Sequence, residues 1–88
     1  MATVMVSHEV TDLAAWRSAF EAGAEVRLRH GATSSRLLVD EDHVVGLVDF
    51  PDDESAAAFL ADPELRRPIP GVPTPPVVRV LHELEPLS

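Results

Sequence analysis

Apolar side chains occupy both alternating sets of positions along three extended segments of this 88-residue chain. In a β-strand, the two sets point to opposite faces of the sheet. Val44 and Val48 belong to one set of the clearest segment, and Val45 and Leu47 belong to the other. A sheet of such strands has no face that is polar throughout, so both of its faces need covering.

Strand and helix patterns follow one another in the order β-α-β-β-α-β. The predicted strands are residues 3–9, 32–40, 43–50 and 77–84, and the predicted helices are residues 13–30, after a cap at Thr11 or Asp12, and 54–61. Glu41 and Asp42 leave room only for a hairpin turn. This order predicts a single ferredoxin-like α+β domain over residues 1–88, with a four-stranded antiparallel sheet in the order 4-1-3-2.

Two helices shelter only one face of a four-stranded sheet, so the other apolar face is left bare. A core of this size seldom supplies more than about 3–5 kcal/mol by itself, and the chain has no cysteine with which to form a disulfide. A second copy that covers the bare face answers both needs. We therefore predict a homodimer in which two sheets form an α+β barrel.

The charge of the chain excludes several partners. Fifteen acidic residues against seven arginines give a formal net charge of −8, which disfavours nucleic acid and anionic membrane surfaces. The first residues have neither a basic region nor a long apolar run, and no stretch is long enough to span a bilayer. These features predict a soluble, cytoplasmic protein without nucleic-acid or membrane partners.

The chain contains no Lys, Tyr, Asn, Gln or Cys. Proton transfer must therefore fall to a histidine or a carboxylate, assisted by arginines and backbone amides. The four histidines, His8, His30, His43 and His82, show none of the close spacings of a metal site. Neither a metal nor another cofactor is predicted.

Three stretches carry a resemblance to a known superfamily: Val6–Phe20 (VSHEVTDLAAWRSAF), Arg29–Ala32 (RHGA) and Val48–Leu65 (VDFPDDESAAAFLADPEL). They resemble the small dimeric α+β barrel proteins that include antibiotic biosynthesis monooxygenases and polyketide cyclase-like proteins. The resemblance extends over nearly the full chain. It implies a shared barrel, with the small-molecule cavity of each subunit between its sheet and its helices.

Within that superfamily, some members oxidise or cyclise aromatic polyketides without metal or flavin, others bind haem, and others act on small metabolites. The resemblance places His8, Trp16, Phe20 and Phe59 around the cavity. Some monooxygenases of the superfamily orient an enolate or a peroxide with an asparagine, which this chain lacks. A quinone-forming oxygenase is therefore a weaker reading than a cyclase or an isomerase.

The predicted catalytic residues are His8, Asp49, Arg79 and His82. His8 shares a strand face with Val4 and Val6, so its imidazole is predicted to act as general acid or base from the interior; the alternative is a strand-end histidine bonded to backbone. Asp49 and Arg79 either bracket a polar substrate group or form a structural pair at the dimer interface. His82 shares the face of His8 but falls at the opposite end of the strands if the pairing is antiparallel.

The predicted substrate-binding residues are Trp16, Phe20, Arg36, Phe59 and Arg66. Trp16 and Phe20 either hold the substrate or are plain core. Arg36 either contacts the substrate or guards an edge strand against aggregation. Arg66, with Arg67, attracts an anionic substrate or is simply solvated, and the proline-rich segment that follows forms a lid or braces the partner subunit.

These observations predict a cofactor-independent enzyme, cyclase-like or isomerase-like, that acts on an apolar or aromatic, polyketide-type metabolite by histidine acid/base chemistry. One alternative is a non-catalytic dimeric module that binds a metabolite or a protein. The chain could instead be a cofactor-free monooxygenase or a haem-binding protein.

Overall fold

The computed structural model describes residues 1–66 and 76–84 of the chain. Within them lie four strands, β1 (Ala2–Glu9), β2 (Ser34–Asp40), β3 (His43–Phe50) and β4 (Val77–His82), and three helices, α1 (Leu13–Ala22), α2 (Ala24–Arg29) and α3 (Asp53–Leu60), with a 3₁₀ turn at Pro63–Arg66. The strands lie in the order β2-β3-β1-β4, and each neighbouring pair is antiparallel. The predicted α+β fold and strand order are confirmed.

Both α1 and α3 begin at an aspartate that caps the helix. The Asp12 carboxylate accepts a hydrogen bond from the Ala15 backbone N–H at 3.0 Å, and Asp52 accepts one from the Ser55 N–H at 2.7 Å. Each carboxylate satisfies an N–H group that has no partner within the helix. The helix starts therefore follow directly from the sequence.

The single long helix predicted after β1 is wrong in one respect, because it is interrupted at Gly23. Glycine is poorly favoured inside a helix, and the Gly23 N–H bonds to the carbonyl oxygens of both Ala19 and Phe20. The Arg27 guanidinium also donates to the Phe20 carbonyl oxygen, at 2.5 Å. The predicted stop is confirmed, since α2 ends before Gly31, whose φ of 85° lies in the left-handed region that favours glycine.

The strand register divides the sheet into a helix side and an open face. Val4 lies between Val48 and Val80 on the helix side, whereas Met5 lies between Leu47 and Arg79 on the other. We call that other side the open face; its residues are Thr3, Met5, Ser7, Glu9, Ser34, Arg36, Leu38, Asp40, His43, Val45, Leu47, Asp49, Val77, Arg79 and Leu81. In β1 and β3 the helix side is the more deeply buried one.

The core on the helix side consists of two clusters that meet at one phenylalanine. The larger joins β1 and β3 to α2 and α3 and includes Phe50 and Phe59, whose ring centroids are 5.0 Å apart. The smaller contains Val10, Trp16 and Val44. Phe20 packs against both clusters.

The described helices cover the two central strands and leave the outer strands exposed. Every residue of β2 and of β4 is exposed, both on the helix side and on the open face. Among the described residues, none of the helices has the length and apolar character needed to cross a membrane. The proline-rich segment predicted as a lid lies largely outside the described residues, as do Arg67 and the side chain of Arg66.

Candidate active site

His8 lies near the end of β1 and points to the helix side of the sheet. Its side chain is buried, and its Nδ1 atom has no hydrogen-bond partner among the described residues. A buried polar atom without a partner destabilises the folded state, so such atoms are rare, and a catalytic role is one of the reasons for which they are retained. The predicted interior position of His8 agrees with this geometry, and its catalytic role stays a prediction.

The surroundings of His8 are apolar. Its direct partner on β3 is Val44, which is fully buried, and the Trp16 ring lies edge-on to the imidazole with the ring centroids 6.2 Å apart. This burial lowers the pKa of His8 below its ordinary value. At neutral pH the imidazole is therefore uncharged, and one of its two ring nitrogens is free to accept a proton.

Phe20 extends this arrangement along the helix side. Its ring centroid is 5.8 Å from that of Trp16, and its Cε2 atom would be 3.0 Å from a Cβ placed on Gly46. The absence of a side chain at Gly46 lets the ring lie directly on the sheet. We call His8, Trp16 and Phe20 the aromatic row; Phe59 belongs to the larger core cluster instead.

Arg27 contacts the aromatic row and was not singled out by the sequence analysis. Its guanidinium carbon lies 3.9 Å from the centre of the Phe20 ring, at the distance of a cation–π contact. The side chain is half-buried, and burial lowers its pKa. The separation of seven residues from Phe20 is two helical turns, so that spacing is the signal that would have indicated the contact.

Three of the predicted site residues lie on the open face, across the sheet from His8. One row of side chains runs across the four strands, with Arg36 on β2 and Arg79 on β4 at its two ends and Leu47 and Met5 between them. Asp49 forms no ion pair with Arg79 among the described residues. Its carboxylate accepts hydrogen bonds from the hydroxyls of Ser34 (2.6 Å) and Thr3 (2.5 Å), which lower its pKa.

His82 shares the helix side with His8 but lies far from it. His82 pairs with Ala2, at the other end of β1, and six residues of strand span roughly 20 Å. Its Nε2 atom is 2.6 Å from the Asp53 carboxylate, at the start of α3. The described residues include no group of three metal-ligating side chains that converge on one point.

A concave region lies between the ends of α2 and α3, away from the aromatic row. It is a shallow, open depression of about 420 Å³ lined by Arg29, His30, Gly31, Asp52, Glu54, Ser55 and Ala58. His30 is hydrogen-bonded to Asp62 at 2.9 Å, and that contact lowers the pKa of Asp62. His30 therefore has a partner, which distinguishes it from His8.

Solved structures with the same architecture cover nearly the whole chain. The cofactor-independent oxygenase SnoaB from Streptomyces nogalater superimposes with a TM-score of 0.75 at 18% identity, over 98% of this chain and 95% of that one. The monooxygenase of the gene ActVA-Orf6 from Streptomyces coelicolor, in complex with nanaomycin D, gives a TM-score of 0.73 at 20% identity, over 99% and 90%. This chain has the fold of the antibiotic biosynthesis monooxygenases.

A mutant of MhuD with two manganese protoporphyrin IX molecules per active site has the same fold, with a TM-score of 0.72 at 15% identity, over 100% of this chain and 99% of that one. Comparison with family models gave no match, and neither did comparison with curated proteins. At these identities the likeness establishes the fold, as the resemblance implied, and the chemistry must be argued from the residues of this chain.

Proposed function

We propose that the protein is a cofactor-independent enzyme that removes a proton from an apolar or aromatic, polyketide-type metabolite, as a cyclase or an isomerase does. The observation that carries the proposal is the buried Nδ1 atom of His8, which has no partner among the described residues and lies beside Trp16. A ring nitrogen without a partner in an apolar site is suited to accept a proton from a bound substrate.

The environment of His8 restricts the substrates that this base can act on. Because burial lowers its pKa, His8 is a weaker base than an exposed histidine, and only a fairly acidic C–H group can transfer its proton to it. A carbon next to a carbonyl group, with aromatic rings to delocalise the resulting charge, meets that condition. The enolate formed and the His8 imidazolium would then stabilise each other in a medium of low dielectric.

The solved structures with this fold support small-molecule chemistry of this kind. SnoaB is described as a cofactor-independent oxygenase, and the ActVA-Orf6 monooxygenase binds nanaomycin D. Oxygenation without a cofactor also requires an electron-rich carbanion, which the same proton removal would supply. The monooxygenase alternative therefore shares its first step with the main proposal, although this chain has no asparagine.

A homodimer belongs to the proposal, and the open face supports it. Leu38, Val77 and Leu81 are each at least 40% exposed there, and leaving such side chains in water forgoes about 1.5–3 kcal/mol each. A second sheet packed on this face would bury them together with Met5 and Leu47. The proposed enzyme is a cytoplasmic dimer with one aromatic row in each subunit.

Two other functions, a non-catalytic binding module and a haem-binding protein, are supported less well than the proposed enzyme. Trp16 and Phe59 are only 3% and 4% exposed, which suits a non-catalytic module whose aromatic residues are core, but such a module needs no unpaired histidine nitrogen. A haem-binding protein is supported less, because the solved structure with a porphyrin in its active site shares only the fold with this chain, at 15% identity.

Hydrogen exchange into anthrone tests the proton transfer directly. The methylene of anthrone is acidic and lies next to two aromatic rings, so in D₂O without oxygen an active protein should accelerate its deuteration, observed by NMR. His8→Leu should slow that reaction at least about a hundredfold. His43→Gln, at a surface histidine on the other side of the sheet, serves as the matched control.

Oxygen uptake separates the two enzymatic readings. In air, an oxygenase would convert one anthrone and one O₂ into one anthraquinone and one water, whereas a cyclase or an isomerase would exchange hydrogen without consuming O₂ above the background rate. Wild-type protein that binds anthrone but exchanges no hydrogen would establish the binding module instead.

A further inference from the structure

The proposed proton transfer leaves a negative charge on the substrate at the helix side of the sheet. Two of the arginines predicted for the site, Arg36 and Arg79, lie on the open face, so the sheet separates them from His8 of the same chain. A charge that develops in an apolar site needs a cation or hydrogen-bond donors on its own side.

Arg27 differs from the other arginines of α1 and α2 in its partners. Arg17 pairs with Glu21 at 3.2 Å, and Arg29 lies 3.6 Å from Asp62 and 3.9 Å from Glu64. Within residues 1–66 and 76–84, no carboxylate pairs with Arg27. Its contacts there are the ring and the carbonyl oxygen of Phe20.

The position of Arg27 makes an anion the complementary ligand. Half-burial removes part of the hydration of the guanidinium, yet arginine stays charged in proteins. One Nη1 hydrogen bond and a ring contact leave several of its five N–H donors unused among the described residues. A carboxylate or an ionised phenol would accept two of them side by side.

Arg27 and His8 stand at the two ends of one line of aromatic contacts. The Arg27 guanidinium lies over Phe20, Phe20 contacts Trp16, and Trp16 contacts His8. We infer that Arg27 is a substrate-binding residue that selects anionic aromatic molecules, holding a carboxylate or phenolate at one end of the aromatic row while the acidic C–H group meets His8 at the other. This inference rests on the proposed function and adds its substrate class.

Two probes of equal shape test the selection for charge. 2-Naphthoate and 2-naphthamide have the same ring system, and their binding can be followed by quenching of Trp16, the one tryptophan of the chain. Wild-type protein should bind 2-naphthoate about tenfold more tightly than the amide. Arg27→Met, which keeps an unbranched side chain against Phe20, should bind the two probes equally well.

Two further variants separate a ligand role from a structural one. Arg27→Lys keeps the charge without the planar fork, so it should retain only part of the preference for 2-naphthoate. Arg29→Met removes an arginine two residues away that already has carboxylate partners, and it should leave the preference unchanged. If Arg27→Met does not fold, the Arg27→Lys variant provides the test. A ligand role requires that its preference for 2-naphthoate over 2-naphthamide be at least about threefold smaller than that of the wild type.

Several outcomes would overturn the inference. They are a wild-type protein that does not distinguish the probes or binds neither, and a folded Arg27→Met or Arg27→Lys variant with the full preference. Anthrone has no carboxylate or phenolate for Arg27 to hold, so its hydrogen exchange tests the proton transfer to His8 without requiring the anion site at Arg27. Hydrogen exchange without a preference for 2-naphthoate would support the proposed function and contradict the role of Arg27. A preference for 2-naphthoate without hydrogen exchange would support anion binding by Arg27 and contradict the proposed proton transfer.

Discussion

The rings of His8 and Trp16 meet edge-on with centroids 6.2 Å apart, and the buried Nδ1 atom of His8 has no hydrogen-bond partner among the described residues. Such an atom costs about 1–3 kcal/mol of stability. An apolar residue of similar size would avoid that cost, so function and stability favour different residues at position 8.

His8→Leu should therefore raise the free energy of unfolding by about 1 kcal/mol, measured by urea denaturation at pH 7.5. The gain should appear in the same variant that loses hydrogen exchange into anthrone. His82→Leu is the matched control, because His82 is exposed and bonded to Asp53, and it should give no gain. A clear loss of stability in His8→Leu would mean that Nδ1 has a partner in solution, such as a bound water.

The same burial predicts how stability depends on pH. The folded-state pKa of His8 is lowered from its ordinary value of 6.5, so the unfolded chain binds a proton more readily than the folded one. The contribution of neutral His8 is fully present above about pH 6.5 and is lost progressively as the pH falls from there through the lower folded-state pKa.

The difference between wild type and His8→Leu isolates that contribution. Between pH 7.5 and pH 5, the free energy of unfolding of the wild type should fall relative to that of the variant. The pKa values of Asp49 and Asp62 are lowered from 3.8, so the stability that these carboxylates contribute is lost only as the pH falls towards 3.8 and below. Both proteins contain the two residues, so this contribution cancels in the comparison. Parallel curves for the two proteins over this range would show that His8 is not desolvated.

Gly46 makes a specific prediction about the aromatic row. An added Cβ would be 3.0 Å from Cε2 of Phe20, so Gly46→Ala must push the ring away from the sheet. We expect a loss of about 1–3 kcal/mol, as for other overpacked cores, together with a change in Trp16 fluorescence. In a Phe20→Leu background the same substitution should cost clearly less, and equal costs in both backgrounds would contradict the contact.

Much of the fold could be predicted from the sequence because it depends on local patterns. Asp12 and Asp52 cap helices in the ordinary way, and the alternation along β3 fixed both its bounds and its faces. The interruption at Gly23 was missed, because one glycine within a helical pattern is usually tolerated. The spacing of seven residues indicates that Arg27 lies near Phe20, but the hydrogen bond to the Phe20 carbonyl depends on the side-chain conformation of Arg27.

The site was less predictable because it depends on which strands are neighbours and in what register. Parity correctly placed His8 on the side of Val4, but it could not show which face of the sheet Asp49, Arg79 and Arg36 share. The register places all three on the open face. It also separates His82 from His8 by the length of β1, as antiparallel pairing requires.

The proposed dimer predicts that a charge on the open face disrupts assembly. Met5 lies on a central strand between Leu47 and Arg79, so Met5→Arg would bury an unpaired cation, beside another, at the centre of the interface. The dissociation constant should rise at least about a hundredfold in sedimentation equilibrium, since such a change costs several kcal/mol. Leu28→Arg, at a leucine of α2 that is 71% exposed, should leave it unchanged. A wild-type protein that remains monomeric at micromolar concentration would contradict the barrel, because the exposed apolar side chains of the open face would then be stable in water.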